Sequence, residues 1–240
     1  MKVFGIEFYR GPQRELIDEL IKLSDAPFRY LVTANVNHIV LLEHDEAFRE
    51  AYRYAGHRLC DSRVLFPVLQ RLNAGVAEPI PGSTLTRAMM NIAQLRQWPV
   101  TILGCEPDVV ATLKRKYPAV SFRHYNPPMG FINDVQEVER CIAFIQQQRS
   151  RMTVFSVGSP RQEILACALY KRGGATGIGL CTGASLTFLS GKVKRAPVWV
   201  QRMSLEWLHR LCSEPRRLGR RYAVDAYRIL PIIARQFRNR

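Results

Sequence analysis

"MTVFSVGSPRQEILACALYKR", residues 152–172, passes from a short apolar run through a Gly-Ser turn into a helix-like segment, with Pro160 at its opening. Proline suits the first turn of a helix, where its missing N–H leaves no bond unmade. The β-branched and aromatic residues before Gly158 have the character and length of a strand. The same passage recurs outward in both directions. RYLVTAN (29–35), HRLCD (57–61), PVTILG (99–104), AVSFRHY (119–125) and ATGIGLC (175–181) are further apolar runs. Helix-like segments fall over 12–23, 37–53, 64–72, 84–97, 106–116, 134–149 and 161–172. Strand–helix alternation of this kind predicts an α/β fold, a Rossmann-like and mainly parallel sheet flanked by helices.

The pattern changes near Lys192, where strands stop and basic helices begin. Residues 1–192 are therefore read as the α/β domain that carries the chemistry, and 193–240 as a basic, helical C-terminal appendage. The net charge of +15 is concentrated there, since from Lys192 onward 13 Lys/Arg face only Glu206, Glu214 and Asp225. A basic end attracts polyanions: nucleic acid, anionic lipid or a phosphorylated substrate. The six cysteines form no C-x-x-C pair and five have apolar neighbours, which reads as buried thiols in a reducing cytoplasm. The opening MKVFGIEFYRG is too short and too polar for a signal peptide. No stretch approaches the ~20 apolar residues that span a bilayer, so any membrane contact is made from the surface.

In an open parallel sheet, ligands bind outside the carboxyl ends of the strands. That singles out Thr33-Ala34-Asn35, Asp61-Ser62, Gly104, Gly158-Ser159 and Cys181-Thr182-Gly183. After Gly158-Ser159-Pro160, backbone N–H groups at a helix start can hold an anion. Gln162 and Glu163 are expected to face the same cleft; the plainer alternative is an ordinary strand-to-helix turn. Gly183 and Ser185 in GLCTGASLTFLSG (179–191) would let a phosphate or ring approach the backbone, although no helix follows cleanly. Asp61 is the one carboxylate right at a strand end, where it can serve as a general base or simply cap a helix.

Other chemistries lack their residues. The five histidines are scattered without zinc spacing, and neither G-x-x-x-x-G-K-[ST], G-x-S-x-G nor a regular G-x-G-x-x-G occurs. No D-x-D is present to hold Mg²⁺ against a diphosphate. Charge on a phosphorylated substrate would then fall to arginines or helix N-termini.

TANVNHIVLLEHDEAFREAY, CDS, PIPGSTL, ILG, NPPMGF, VGSPRQE, GASLTFLSGKVKRAP and LEWLHRLCSEPRRLGRRY, in this order, resemble the WecG/TagA/CpsF glycosyltransferases over residues 5–222. The resemblance implies an inverting, metal-independent transfer of a hexose or N-acetylhexosamine from a UDP-sugar to a polyprenyl-diphosphate-linked sugar. The setting it implies is exopolysaccharide or cell-wall polymer synthesis, in the cytoplasm against the inner face of the cell membrane. By position it assigns Asp61 as catalytic base with Thr33 and Asn35 beside it. It matches Gln162 to a donor-sugar contact, and the strand-end positions add Gly104, Gly158, Ser159, Gly183 and Ser185 as donor-binding candidates. Arg210, Arg217 and Arg221 would reach the diphosphate. No cofactor or metal is implied beyond the UDP-sugar co-substrate. The partners are the lipid-linked acceptor and an anionic membrane surface, with no nucleic acid, and a homo-oligomer stays open. Three positions depart from the family pattern: Ser62, Thr84 and Thr187 stand where Gly, Asp and an acidic residue are usual. They leave a neutral hexose as open a donor as an N-acetylmannosamine. A runner-up is an RNA-modifying α/β enzyme such as a methyltransferase with a basic tail, but no aromatic–basic stacking surface supports it. A non-catalytic nucleotide-sugar sensor is a third reading.

In the tail, Leu218, Tyr222, Ala226, Ile229, Ile233 and Phe237 step along one helical face, with Arg217, Arg220, Arg221, Arg228, Arg235 and Arg238 on the other side. Pro231 is expected to kink or interrupt that helix. An apolar stripe opposite a basic one suits an anionic bilayer, and equally suits a helix packed on the core with its arginines solvated.

Overall fold

The computed structural model describes residues 2–193, 196–197, 200, 206–213 and 215–238; the side chains of Arg210, Ser213 and Arg217 lie outside it as well. Six strands, β1 (Arg29–Ala34), β2 (His57–Cys60), β3 (Pro99–Gly104), β4 (Ser121–Tyr125), β5 (Met152–Ser156) and β6 (Ile178–Cys181), form one sheet in the order β2-β1-β6-β5-β3-β4. Every pairing is parallel. The α/β reading and all six predicted strands are borne out.

Each inner strand is buried on both faces, as a parallel sheet covered by helices requires. On β1, Tyr30, Val32 and Ala34 face one core layer and Leu31 the other. The first layer takes α2 (Val36–His44), α3 (Glu46–Tyr54), α4 (Leu65–Arg71), α7 (Val135–Gln148) and α8 (Arg161–Arg172). The second takes α1 (Gln13–Leu23), α5 (Gly82–Leu95), α6 (Pro107–Lys116) and α9 (Ser185–Ser190). A 3₁₀ turn covers Phe131–Asn133.

Two helix expectations change. The segment 37–53 is two helices, because the Asp45 carboxylate accepts from Phe48 N at 2.9 Å and starts α3 afresh. A short helix, α9, does follow Gly183, contrary to expectation. Four of the six cysteines are buried, Cys105 is half-buried and Cys212 exposed.

After α9 come α10 (Glu206–Ser213) and α11 (Pro215–Arg238). Pro231 does not interrupt α11, which is continuous. The helix packs on α2: Ile229 and Ile232 join the first core layer, Asn37 Nδ2 donates to Asp225 Oδ1 at 3.0 Å, and Arg235 pairs with Glu43 at 2.6 Å. Gln236 Oε1 accepts from Phe4 N at 3.0 Å, tying the helix to the N-terminal turn. The inward face is Leu218, Asp225, Ile229 and Ile232, a rotation away from the expected stripe. Ala226 and Phe237 face outward instead, and so do Val224, Tyr227 (81 % exposed) and Leu230 (66 %). Asp225 drives the difference, since its bond to Asn37 places a carboxylate where the hydrophobic pattern has a gap. Among the described residues no helix is long and apolar enough to cross a membrane.

Candidate active site

The chain leaves β1 into α2 in the first layer and leaves the adjacent β6 into α9 in the second, so a crevice opens at the carboxyl ends of these two strands. Asp61 follows β2 at one end of it. Its backbone N donates to Ala34 O at 2.9 Å, which continues the sheet ladder by one residue. Its Oδ1 accepts from Gly82 N, the first residue of α5, at 3.0 Å. Pro81 offers no side-chain cap there, so Asp61 caps α5 from another strand. The capping role weighed from sequence is thus real but distant, while the adjacent α4 is served by Ser62 Oγ, which accepts from Leu65 N at 3.1 Å. The bond fixes the carboxylate against a helix N-terminus, where negative charge is favoured.

Thr33 on β1 and Asn35 just past its end stand beside it. The Thr33 hydroxyl donates to Cys181 O at 3.1 Å and locks the ends of β1 and β6 together. Asn35 caps α2 by accepting from His38 N at 3.2 Å, a cap worth about 1 kcal/mol. Gly82 lies against both strands: a Cβ on it would sit 3.1 Å from Thr182 Cβ and 3.3 Å from Thr33 Cγ2.

The opposite wall comes from β3, β5 and β6. Gly104 ends β3 at φ +90°, and a Cβ there would strike Ser156 C and O at 2.8 Å, so only glycine lets β3 and β5 close at this end. Ser156 Oγ accepts from Cys105 Sγ at 3.1 Å and donates to Gly183 O at 3.0 Å. Gly183 N donates to Gln162 Oε1 at 3.1 Å, and Thr182, Ser185 and Thr86 share hydroxyl bonds of 2.8 and 2.9 Å. Asp61, Thr33, Asn35, Gly104, Gly158, Ser159, Gln162, Gly183 and Ser185 therefore all lie along the carboxyl ends of the strands. Gln162 and Glu163 do not open to a cleft as expected; both are buried, at 2 % and 0 % exposure. The helix start turns them inward behind the wall.

Burial also sets the charge states. Enclosure pushes the Glu163 carboxyl up to about 7, against the hydrogen bonds from Gln162, its own backbone and Ser159 that favour the charged form. His38, buried beneath the Asn35 cap, is pushed down to about 3, helped by the nearby Arg221 charge, and is neutral. Its Nδ1 lies 2.7 Å from the buried Tyr52 hydroxyl. Arg221 itself is exposed, with its guanidinium 5.4 Å over the Tyr222 ring. It shares with Asn37, Arg220, Asp225 and Arg228 the lining of a cleft of about 360 Å³ between α2 and α11. That cleft begins two residues past Asn35, beside the strand ends. The Arg210 and Arg217 side chains lie outside the described residues, so their expected reach to a diphosphate has no geometry here. No cluster of three or more His, Cys, Asp or Glu stands ready for a metal among the described residues.

Over residues 1–240 the chain matches the glycosyl transferase WecG/TagA/CpsF family. It belongs to that family. The protein is accordingly a glycosyltransferase. It is 26 % identical over 232 residues to an N-acetylglucosaminyldiphosphoundecaprenol N-acetyl-beta-D-mannosaminyltransferase of Staphylococcus aureus strain MW2, covering 94 % of this chain and 89 % of the relative. The enzyme of the same name from strain MRSA252 is 25 % identical over the same span. Within this glycosyltransferase, Gly82, Ser156 and the Asn37–Asp225 pair escaped sequence reasoning. Gly82 stands within PIPGSTL, and nothing local marks it as the partner of Asp61.

Proposed function

We propose that this glycosyltransferase moves a sugar from a UDP-sugar to a hydroxyl of a polyprenyl-diphosphate-linked sugar, with inversion and without a metal ion. The observation that carries the reading is Asp61, held by Gly82 N at 3.0 Å at the mouth of the β1–β6 crevice. The acceptor named for the S. aureus relatives, a diphosphoundecaprenol-linked N-acetylglucosamine, supports the lipid-linked class. In the step, the acceptor oxygen attacks the anomeric carbon and its proton passes to the Asp61 carboxylate. The anomeric carbon–oxygen bond to the diphosphate breaks, and UDP leaves with the electron pair. A single displacement of this kind inverts the configuration. The charge that grows on UDP is met by arginine side chains and helix N–H groups. Thr84 and Thr187 remove two negative charges usual in the family, which leaves the donor a hexose or an N-acetylhexosamine.

The outward face of α11 fits a peripheral position on an anionic membrane. Tyr227, Leu230 and Phe237 stand exposed beside Arg228, Arg235 and Arg238. The test incubates purified protein with a panel of UDP-sugars and a short-chain lipid-diphosphate-sugar acceptor, with and without EDTA, and reads products by mass. One glycosylated lipid product, formed equally in EDTA, supports the reading. No product with any donor, or loss in EDTA rescued by Mg²⁺, overturns it or its metal-independent part.

A further inference from the structure

The carboxylate of Glu163 is fully buried behind the donor wall, and no step proposed above uses it. Its Oε1 accepts from Gln162 Nε2 at 2.7 Å, and Gln162 Oε1 in turn accepts from Gly183 N at 3.1 Å. Oε2 has no hydrogen bond of ordinary geometry, although the Ser159 hydroxyl is near enough to favour its charged form. Around it stand Tyr52 from α3 and Cys181 from β6, both of which feel its charge and both of which burial keeps protonated.

The two neighbours of the Gln162 amide demand one orientation. A backbone N–H can only donate, so the Gly183 side must receive the amide oxygen. Glu163 Oε1 accepts whether the carboxyl is ionised or holds its proton on Oε2, so the Glu163 side receives the amide nitrogen. Gln162 is thereby clamped end to end. Its grip on Gly183 sets the turn between β6 and α9, whose other side is fixed by Ser156 Oγ on Gly183 O at 3.0 Å.

We propose that Glu163 is a positioning residue for the donor nucleotide: it fixes the Gln162 amide, and through it the Gly183 turn, in the arrangement that receives a nucleoside diphosphate. This rests on the UDP-sugar reading of the site, so the test carries one measurement that does not depend on it.

Four variants are compared: Glu163→Met, which keeps length and loses the acceptor; Glu163→Gln, which keeps an acceptor; Gln162→Ala; and the double variant Gln162→Ala/Glu163→Met. Glu163→Ala replaces the methionine variant should that one not fold. UDP affinity is measured by calorimetry, and protection of the Gly183 amide by hydrogen exchange in unliganded protein. Glu163→Met should weaken UDP binding tenfold or more and release the Gly183 amide. Glu163→Gln should stay within twofold of wild type in both. The double variant should match Gln162→Ala alone, because Glu163 acts only through Gln162. A merely structural glutamate would lower the melting temperature while leaving UDP affinity unchanged, and that result overturns the proposal. Additive losses in the double variant overturn it as well. If wild type binds no UDP, the donor reading fails and the nucleotide role falls with it. Gly183 exchange then still shows whether Glu163 sets the turn, and unchanged protection in Glu163→Met refutes the clamp itself.

Discussion

Gly82→Ala tests whether the geometry around Asp61 is as tight as it looks. In a bare helix the change would be mildly favourable, since alanine is preferred to glycine by up to about 1 kcal/mol. Here the new methyl would lie 3.1 Å from Thr182 Cβ, 3.2 Å from Thr182 Cγ2 and 3.3 Å from Thr33 Cγ2. Neither threonine can turn away cheaply. Thr33 Oγ1 is bonded to Cys181 O at 3.1 Å, and Thr182 Oγ1 to Thr86 and Ser185 at 2.9 and 2.8 Å. The start of α5 must therefore retreat by a few tenths of an ångström, carrying Gly82 N away from Asp61 Oδ1. Overpacking of this kind costs about 1–3 kcal/mol, which offsets the propensity gain and leaves a net loss of up to about 2 kcal/mol. Turnover should fall further than stability suggests, by about tenfold, because the displaced group orients the base. Urea unfolding gives the first number, and turnover on a lipid-linked acceptor the second. A variant as stable as wild type with full turnover would show slack at the first turn of α5, and the reasoning would fail.

Asp61→Asn keeps an acceptor for Gly82 N but removes the proton acceptor, so turnover should drop by roughly 10²–10⁴ with UDP affinity little changed; more than a third of wild-type turnover would leave Asp61 only a cap. Glu163 has its folded-state value raised to about 7 from an ordinary 4.5, so the stability this group contributes is complete below the lower value and is lost as pH rises through the upper one. Glu163→Gln should accordingly unfold at higher urea than wild type at pH 8, by on the order of 3 kcal/mol, with no difference at pH 4.5; equal midpoints at both would mean the carboxylate is not enclosed. Replacing Tyr227 and Leu230 by serine, at 81 % and 66 % exposure, should leave the melting temperature within a few degrees and weaken sedimentation with anionic liposomes. Undiminished sedimentation would take the α11 face out of any membrane role.

The strands could be read from the sequence because a parallel sheet buries both faces and leaves unbroken apolar runs. What the sequence withheld was mostly non-local. Asp61 could be seen at a strand end, but its partner lies 21 residues on, at the start of another helix. The first turn of α5 begins earlier than its apolar pattern, since the Asp61 carboxylate just after β2 supplies the cap that Pro81 lacks. Gln162 and Glu163 looked like cleft residues because polar side chains at a helix start usually are; only the approach of the Gly183 turn and Tyr52 shows them enclosed. The short α9 has no side-chain cap and too few residues to declare a period.

The tail shows why periodicity alone did not fix its rotation. Helix α11 carries two apolar faces, one through Leu218, Ile229 and Ile232, the other through Tyr227, Leu230 and Phe237. Hydrophobic burial would accept either against α2, and the second is the bulkier. Asp225 separates them. On the observed face its carboxylate is taken by Asn37 at 3.0 Å, so burying it leaves that oxygen bonded. Turned over, the helix would lose this bond and gain only apolar contact, and breaking such a pair costs about 1–3 kcal/mol. One buried polar pair can thus select an orientation that hydrophobicity leaves undecided, the use for which buried polar groups are best attested. The consequence reaches the proposed chemistry, because Asn37 is two residues from Asn35 and Arg221 lies close enough to depress His38. The same choice of face puts arginines beside the carboxyl ends of the strands and turns the tyrosine and leucine outward.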